Sequence, residues 1–327
     1  MQAEYFAAID IGGTKIAVSI ATRNGPMARI VENTTKTGDE RALPEQALRM
    51  LEQACGLTDI VPRRVAAVGV AACGPFVRRD GRLCLAAPNI CGGLTGGSDL
   101  PNDWTAIPLE QVLIERCDQV RIENDCVAAL SAERTFGAAM GEVDCVYVTW
   151  STGIGFGLCV DGRILHGKHG NAGHGGHMLM TEAQDAQCGC GNWGDLEALI
   201  SGRNLGLRMH VPTPDLFAAA HDGDPAARAI AEDAARWFGR GLYNLTAILD
   251  TRLFVIGGSV WAHHGAWLRP IVIQEIESRF PALTQGVRVV PAALGNLAAD
   301  LGAYSLVLPE DWVEDWRRRE PWEALRR

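Results

Sequence analysis

Short apolar runs broken by glycine-rich turns set the pattern of this chain. Tyr5-Phe6-Ala7-Ala8-Ile9 reads as a buried strand, Asp10-Ile-Gly-Gly-Thr-Lys15 as the turn behind it, and Ile16-Ala17-Val18-Ser19-Ile20 as a second strand. The pattern returns at Cys145-Val146-Tyr147-Val148-Thr149-Trp150, which turns through Ser151-Thr152-Gly153-Ile154-Gly155 and runs back as Phe156-Gly157-Leu158-Cys159-Val160 before Asp161-Gly162. A strand, glycine loop and return strand are thus expected once per half. Between these openings, Leu43 to Cys55 has the spacing of an amphipathic helix with Pro44 in its first turn, Val65 to Val70 that of a buried strand, and Gln119 to Ile122 that of another strand. Beyond residue 205 helical spacing dominates. An alanine-rich helix is expected from Pro225 to Leu249, capped by Asp224 and interrupted by Gly239 and Gly241. Arg252 to Ile256 then forms a strand ending in Gly257-Gly258-Ser259. Strands alternating with helices in both halves predict α/β domains with mixed sheets.

Composition narrows the possibilities. The 327 residues are 47% apolar, enough for two packed domains. A net charge of −9 argues against broad attraction to nucleic acid or anionic membranes, so any phosphate is expected to bind locally. No secretory leader precedes the first strand and no apolar run approaches the ~20 residues of a membrane span, so a cytoplasmic protein without membrane contact is expected. Ten cysteines without a leader, several of them in strand-like runs, are read as mostly buried thiols and not as a disulfide framework.

The first turn carries the most chemistry. Two glycines expose backbone amides, Thr14 supplies a hydroxyl, Lys15 an ammonium and Asp10 a carboxylate that can hold Mg²⁺ directly or through water; together they suit a nucleotide phosphate. A tight hairpin whose Asp and Gly serve only the turn is the plainer alternative. Two glycine hairpins could clamp a nucleotide from both sides, with Gly257-Gly258-Ser259 carrying its base or ribose.

At this point the chain resembles the ROK group of the actin-like ATPase superfamily, which holds bacterial sugar kinases and sugar-responsive repressors. The resemblance rests on Asp10-Ile-Gly-Gly-Thr-Lys15, Gly74-Pro75, Glu123-Asn124-Asp125, Ser151-Thr-Gly-Ile-Gly155, Gly173-His174-Gly-Gly-His177, Cys188-Gly-Cys190-Gly-Asn-Trp-Gly-Asp195-Leu-Glu197, Ser201-Gly202 and Val255-Ile-Gly-Gly-Ser259, in an order covering nearly the whole chain. It implies a two-domain actin-like (ribonuclease H-like) α/β fold with an interdomain cleft. The expected domains are a smaller one over 1–122, with a C-terminal helix about 296–308 packing back on it, a larger one over 123–295, and a tail over 309–327.

The resemblance implies ATP and Mg²⁺ as phosphoryl donor and cation. Asp10, Gly12, Gly13, Thr14, Lys15, Ser151, Thr152, Gly153, Gly155, Gly257, Gly258 and Ser259 are the expected nucleotide-binding residues. Asp125 is implied as the general base that takes the proton of a sugar hydroxyl, the 6-OH, with Gly74, Asn124, His174, His177 and Glu197 binding the sugar. Phosphoryl transfer needs little beyond positioning and charge neutralisation, so one carboxylate in line with the acceptor suffices. Read alone, Asn-Asp at a strand end is a turn or helix cap.

His177, Cys188 and Cys190 have spacing that can close around Zn²⁺ if a fourth donor follows, and Asp195 stands where the family places a third cysteine. A His-Cys-Cys-Asp structural zinc site, a weaker metal or a plain loop are the alternatives. Such a site would orient His177 and place Glu197 at the pocket wall. The family's sugar kinases have glutamate where this chain has His174, three residues before His177, so the two side chains were expected to share a helical face. A neutral imidazole offers one donor and one acceptor where a carboxylate only accepts, which points to glucose, an N-acetyl hexosamine, an amino sugar or a C7 cyclitol as candidate acceptors. A His174 turned away into solvent is the alternative. Cys73, where proline is usual in the family, and Trp150-Ser151 are expected to line the same region.

A sugar kinase is the leading function. A sugar-sensing repressor would carry a helix-turn-helix ahead of the first strand, and the acidic balance gives no DNA-binding stripe. A non-catalytic sugar-binding or regulatory protein of the same fold is the alternative of another class. Trp312, Trp316 and Trp322 predict a short amphipathic helix packed on the body or on a partner subunit, with Arg317-Arg318-Arg319 as a solvated face. The resemblance implies a homodimer or homotetramer.

Overall fold

The computed structural model describes residues 4–94, 99–184 and 186–326. In chain order the elements are β1 (Tyr5–Ile11), β2 (Lys15–Thr22), β3 (Gly25–Asn33), α1 (Ala42–Leu57), β4 (Val65–Ala72), β5 (Phe76–Arg79), β6 (Arg82–Leu85), α2 (Leu109–Ile114), β7 (Val120–Asn124) and α3 (Asp125–Phe136). There follow β8 (Cys145–Trp150), β9 (Ile154–Val160), β10 (Arg163–Ile164), α4 (Leu196–Ile200), α5 (Gly202–Leu205), α6 (Thr213–His221) and α7 (Pro225–Leu249). The chain closes with β11 (Leu253–Gly257), α8 (Ser259–Glu277), α9 (Pro281–Thr284), β12 (Arg288–Pro291), α10 (Ala298–Ser305) and α11 (Glu310–Arg319).

These elements form two compact units. The first comprises Met1–Phe136, His166–Ala172 and Asn296–Arg327, so it extends past the division expected after residue 122. Its sheet has the order β3-β2-β1-β4-β7, with β1, β2 and β3 antiparallel and β1, β4 and β7 parallel. Helices α1 and α2 cover one apolar side of this sheet through Leu43, Met50, Leu51, Leu109 and Leu113. α10 lies against β1, β4 and α3.

The second unit comprises Gly137–Leu165 and Gly173–Gly295. Its sheet, β10-β9-β8-β11-β12, repeats the first plan: an antiparallel hairpin opens it and two parallel strands extend it. Its core gathers Trp150, Phe156, Phe238, Phe254 and Trp261 between the sheet and α7 and α8. Asp224 caps α7 by accepting from the Ala226 and Ala227 amides, at 2.9 and 2.8 Å, as its residue type predicts. Gly239 and Gly241 do not interrupt this helix as expected. A Cβ at Gly239 would meet Val272 and Glu275 of α8, and one at Gly241 would meet Leu196, so both glycines serve close packing.

The tail packs on the first unit. Trp312 meets the Phe6 ring edge-on at 5.1 Å, and Trp316 and Trp322 are buried around Phe136 and Tyr304. The arginines are not simply a solvated face. Arg317 Nε donates to the Thr135 carbonyl at 2.8 Å and Arg319 Nη2 to the Arg23 carbonyl at 2.7 Å, whereas Arg318 stays exposed and pairs with Asp315. Seven of the ten cysteines are buried and all are free thiols. No helix among the described residues is long and apolar enough to cross a membrane.

Candidate active site

In the first unit, β1, the central strand, carries Asp10 near its C-terminal end and the chain turns back through Gly12, Gly13 and Thr14 to Lys15. The Gly12 amide donates to the Lys15 carbonyl at 2.9 Å, and the Thr34 hydroxyl to the Gly12 carbonyl at 2.7 Å, so the turn is braced while Thr14 and Lys15 stay exposed. Burial pushes the Asp10 carboxyl up to about 8; Asp300 and Asp125 add to this and the Arg29 guanidinium opposes it. A carboxyl in that condition gains most from a cation at the same point, which fits an Mg²⁺ ligand.

β4 and β7 run parallel to β1 and end beside it. Cys73 follows β4, held by its amide on the Ile11 carbonyl at 3.0 Å, and its thiol is pushed up by burial and by Asp125 and Asp10. Gly74 comes next. β7 ends at Asn124, whose Oδ1 accepts from the amides of Cys126 at 3.0 Å and Val127 at 3.4 Å, capping α3. Asp125 is the first residue of α3; its Oδ1 accepts from the Cys126 amide at 2.8 Å, and burial still raises its proton affinity against the opposing bonds from Cys126 and Asn124. Asn124 therefore has the cap role that its position alone suggests, and Asp125, at the start of the same helix, is near enough for its charge to raise both Cys73 and Asp10.

Two features here were not read from the sequence. Asp300 on α10 is buried and accepts from Arg29 Nε and Nη2, both at 3.0 Å. A lone acid in the apolar stretch around 292–308 was the available signal. His166 Nε2 lies 3.2 Å from Glu123 Oε1, tying residues 166–172 to the strand that presents Asn124.

In the second unit, the Ser151 amide donates to the Gly153 carbonyl at 3.0 Å to close the second loop, and Gly155 lies in β9. The Gly202 amide donates to the Ser151 carbonyl at 2.7 Å, so Ser201-Gly202 braces this loop from behind. β11 runs beside β8 and pairs Gly257 with Thr149; Gly258, at φ +88°, then leads into α8 at Ser259. Trp150 does not line the site as expected. It is fully buried, donates through Nε1 to the Ile200 carbonyl at 2.8 Å and packs on Phe238, because its place in β8 points it to the core.

The metal candidates converge. His177 Nδ1 lies 3.2 Å from Asp195 Oδ2 and 3.7 Å from each of Cys188 Sγ and Cys190 Sγ, and Cys190 Sγ lies 3.9 Å from Asp195 Oδ2. A tetrahedral zinc with these donor types has edges of about 3.3–3.8 Å, so the residues fit the ion. Asp195 is buried, and its other oxygen accepts from the Ala198 amide at 2.7 Å as the cap of α4. Glu197 accepts from the Ile154 amide through Oε2 at 2.9 Å and from the Cys188 thiol through Oε1 at 3.2 Å.

His174 and His177 lie at either end of a single 3₁₀ turn, not on the expected α-helical face. Side chains three apart eclipse in that geometry, and the rings stand parallel within 13°, 6.1 Å apart. His174 is not turned into solvent: its Nε2 is buried and has no hydrogen-bond partner among the described residues. Burial, then the neighbouring His177, lower its pKa and favour the neutral ring, against the pull of Glu197.

A sequence model of the ROK family matches residues 6–310. A glucokinase from Aeropyrum pernix is 29% identical over 93% of this chain and 97% of its own length. An N-acetylmannosamine kinase from Salmonella typhi is 32% identical over 85% of this chain and 91% of its own. The crystal structure of a ROK hexokinase from Thermus thermophilus superposes with a TM-score of 0.74 at 32% identity, covering 91% of this chain and 96% of that one.

Proposed function

The chain belongs to the ROK family, and on that premise we infer an ATP-dependent sugar kinase that phosphorylates a hydroxyl of a hexose or hexose-like acceptor, built on the actin-like fold. The observation that carries the reading is the half-buried Asp125, whose carboxylate accepts from the Cys126 amide at the start of α3 and whose charge reaches Asp10 and Cys73. Asp125 takes the proton of the attacking hydroxyl, the 6-OH, and Asn124 and Gly74 hold neighbouring hydroxyls. In the first unit the braced loop at Gly12–Lys15 offers its amides, Thr14 and Lys15 to donor phosphates; in the second, the loop at Ser151–Gly155 offers amides of the same kind, and Gly257, Gly258 and Ser259 are our candidates for the nucleoside. Asp10 would hold Mg²⁺, which supplies charge neutralisation on the phosphates. ADP release across a panel of sugars tests this reading; a protein that releases none with any of them would be a sugar-binding member of the fold.

A narrower reading concerns the acceptor. His174 presents a buried, unpartnered nitrogen on a ring that burial keeps neutral, which favours an acceptor differing from glucose in ring substitution or in lacking the ring oxygen: an amino sugar, N-acetyl hexosamine or cyclitol. A site built to pair one polar group rejects ligands that leave it unpaired, at roughly 1–3 kcal/mol per group. His174→Glu should therefore move the kcat/KM ranking toward glucose. An unchanged ranking with glucose already preferred would show that His174 does not read the acceptor.

His177, Cys188, Cys190 and Asp195 would hold a structural zinc that closes their loop. Purified protein should then contain about one zinc per chain, and Cys188→Ser should lose both metal and thermal stability. Zinc-free protein with full activity and unchanged melting would refute the site. Asp195→Cys should tighten the metal through the softer donor, at the loss of the α4 cap, about 1 kcal/mol.

A further inference from the structure

The second glycine loop is fastened to the metal-ligand loop by two residues of opposite charge, one through its side chain and the other through its backbone amide and its side chain together. Glu197 is the first. Its Oε2 accepts from the Ile154 amide at 2.9 Å and lies so close to Gly153 that a Cβ there would come within 2.8 Å; its Oε1 meets Cys188 Sγ at 3.2 Å. Arg203 is the second. Its amide donates to the Thr152 carbonyl at 3.2 Å, and its guanidinium lies over Gly189, where any Cβ would collide with Nη1. Among the described residues that guanidinium has no carboxylate partner and no hydrogen bond, although it is exposed and carries a full charge.

Two thiolates and a carboxylate around a divalent cation leave one negative charge, and the Glu197 carboxylate against Cys188 Sγ adds another once the thiol has given up its proton to bind the metal. An arginine resting on the residue between the two cysteines is the counter-charge at hand, and its planar, always-charged head suits that place better than an ammonium. The other end of the same residue holds the loop that receives the donor phosphates.

We propose that Arg203 and Glu197 couple the metal centre to the Ser151–Gly155 loop, so that metal occupancy and the Arg203 charge set the affinity for the donor nucleotide. The proposal rests on the kinase reading above. Arg203 is a positioning residue here: it acts on the loop through Thr152 and on the metal centre through Gly189.

The test measures binding, not turnover. Calorimetric titration with a non-hydrolysable ATP analogue and Mg²⁺ is made on the zinc-loaded protein, on chelated protein and on zinc-loaded Arg203→Ala and Arg203→Lys, with zinc content and melting temperature followed in each. Arg203→Ala should bind the analogue about tenfold more weakly and release zinc to a competing chelator about tenfold more readily, and Arg203→Lys should recover only part of either loss. Chelated protein should lose at least as much analogue affinity as Arg203→Ala. Wild-type analogue affinity in Arg203→Ala would overturn the proposal, even if chelated protein unfolds. Should zinc-loaded wild type bind no analogue at all, the kinase reading itself would fail.

Discussion

Asp125→Asn should lower kcat by roughly two or more orders of magnitude while the acceptor still binds. The amide has the shape of the carboxyl and its oxygen can still accept from the Cys126 amide, now at 2.8 Å, so the start of α3 is preserved. What disappears is the proton acceptor. In phosphoryl transfer the attacking hydroxyl must lose its proton as the bond to phosphorus forms, and burial has already raised the proton affinity of this carboxyl toward that task. Steady-state kinetics paired with calorimetric sugar binding separates the two effects. A near-normal kcat would remove Asp125 from the base role. Loss of sugar binding along with kcat would make it chiefly a binding residue.

Trp316→Ala should destabilise the fold by about 3–5 kcal/mol, a loss comparable to much of the stability of an ordinary domain. The indole is fully buried, meets Tyr304 at 5.4 Å and Phe136 at 6.4 Å, and donates to the Arg23 carbonyl at 3.0 Å. Removing it leaves a cavity and an unanswered carbonyl together. Trp316→Phe keeps most of the ring contact but not the donor, and should lose about 1–3 kcal/mol less. Urea midpoints at constant slope measure both variants. A shift under about 0.5 kcal/mol for Trp316→Ala, the scale of ordinary surface substitutions, would mean that the tail is not part of the cooperative unit.

The features legible in the sequence were those encoded locally. A glycine turn behind an apolar run announces itself within about ten residues, which is why both glycine turns, the α7 cap at Asp224 and the grouping of His177, Cys188 and Cys190 could be read from spacing, with Asp195 added by the family resemblance. Contacts that depend on distant partners could not. Arg29 and Asp300 lie 271 positions apart, and nothing near either one names the other. Trp150 was misjudged for a related reason: strand residues alternate faces, and only the packed sheet shows which face the core takes. Likewise, Gly239 and Gly241 read as breaks because helix propensity sees no neighbouring helix. Arg317 and Arg319 of the tail found backbone carbonyls as partners, and a carbonyl leaves no mark in a sequence.

The route of the chain through the first unit has a consequence for its synthesis. α10 covers β1 and β4, yet the whole of the second unit's sheet is translated before it. As the chain emerges, the opening strands must wait with that apolar face uncovered until residues 298–305 have left the ribosome. The unit begun first is finished last. A polypeptide stalled before Ala298 would carry all five strands of the first unit's sheet with that face bare, although the second unit's strands were already made, and such a surface is what chaperones bind and aggregates grow from.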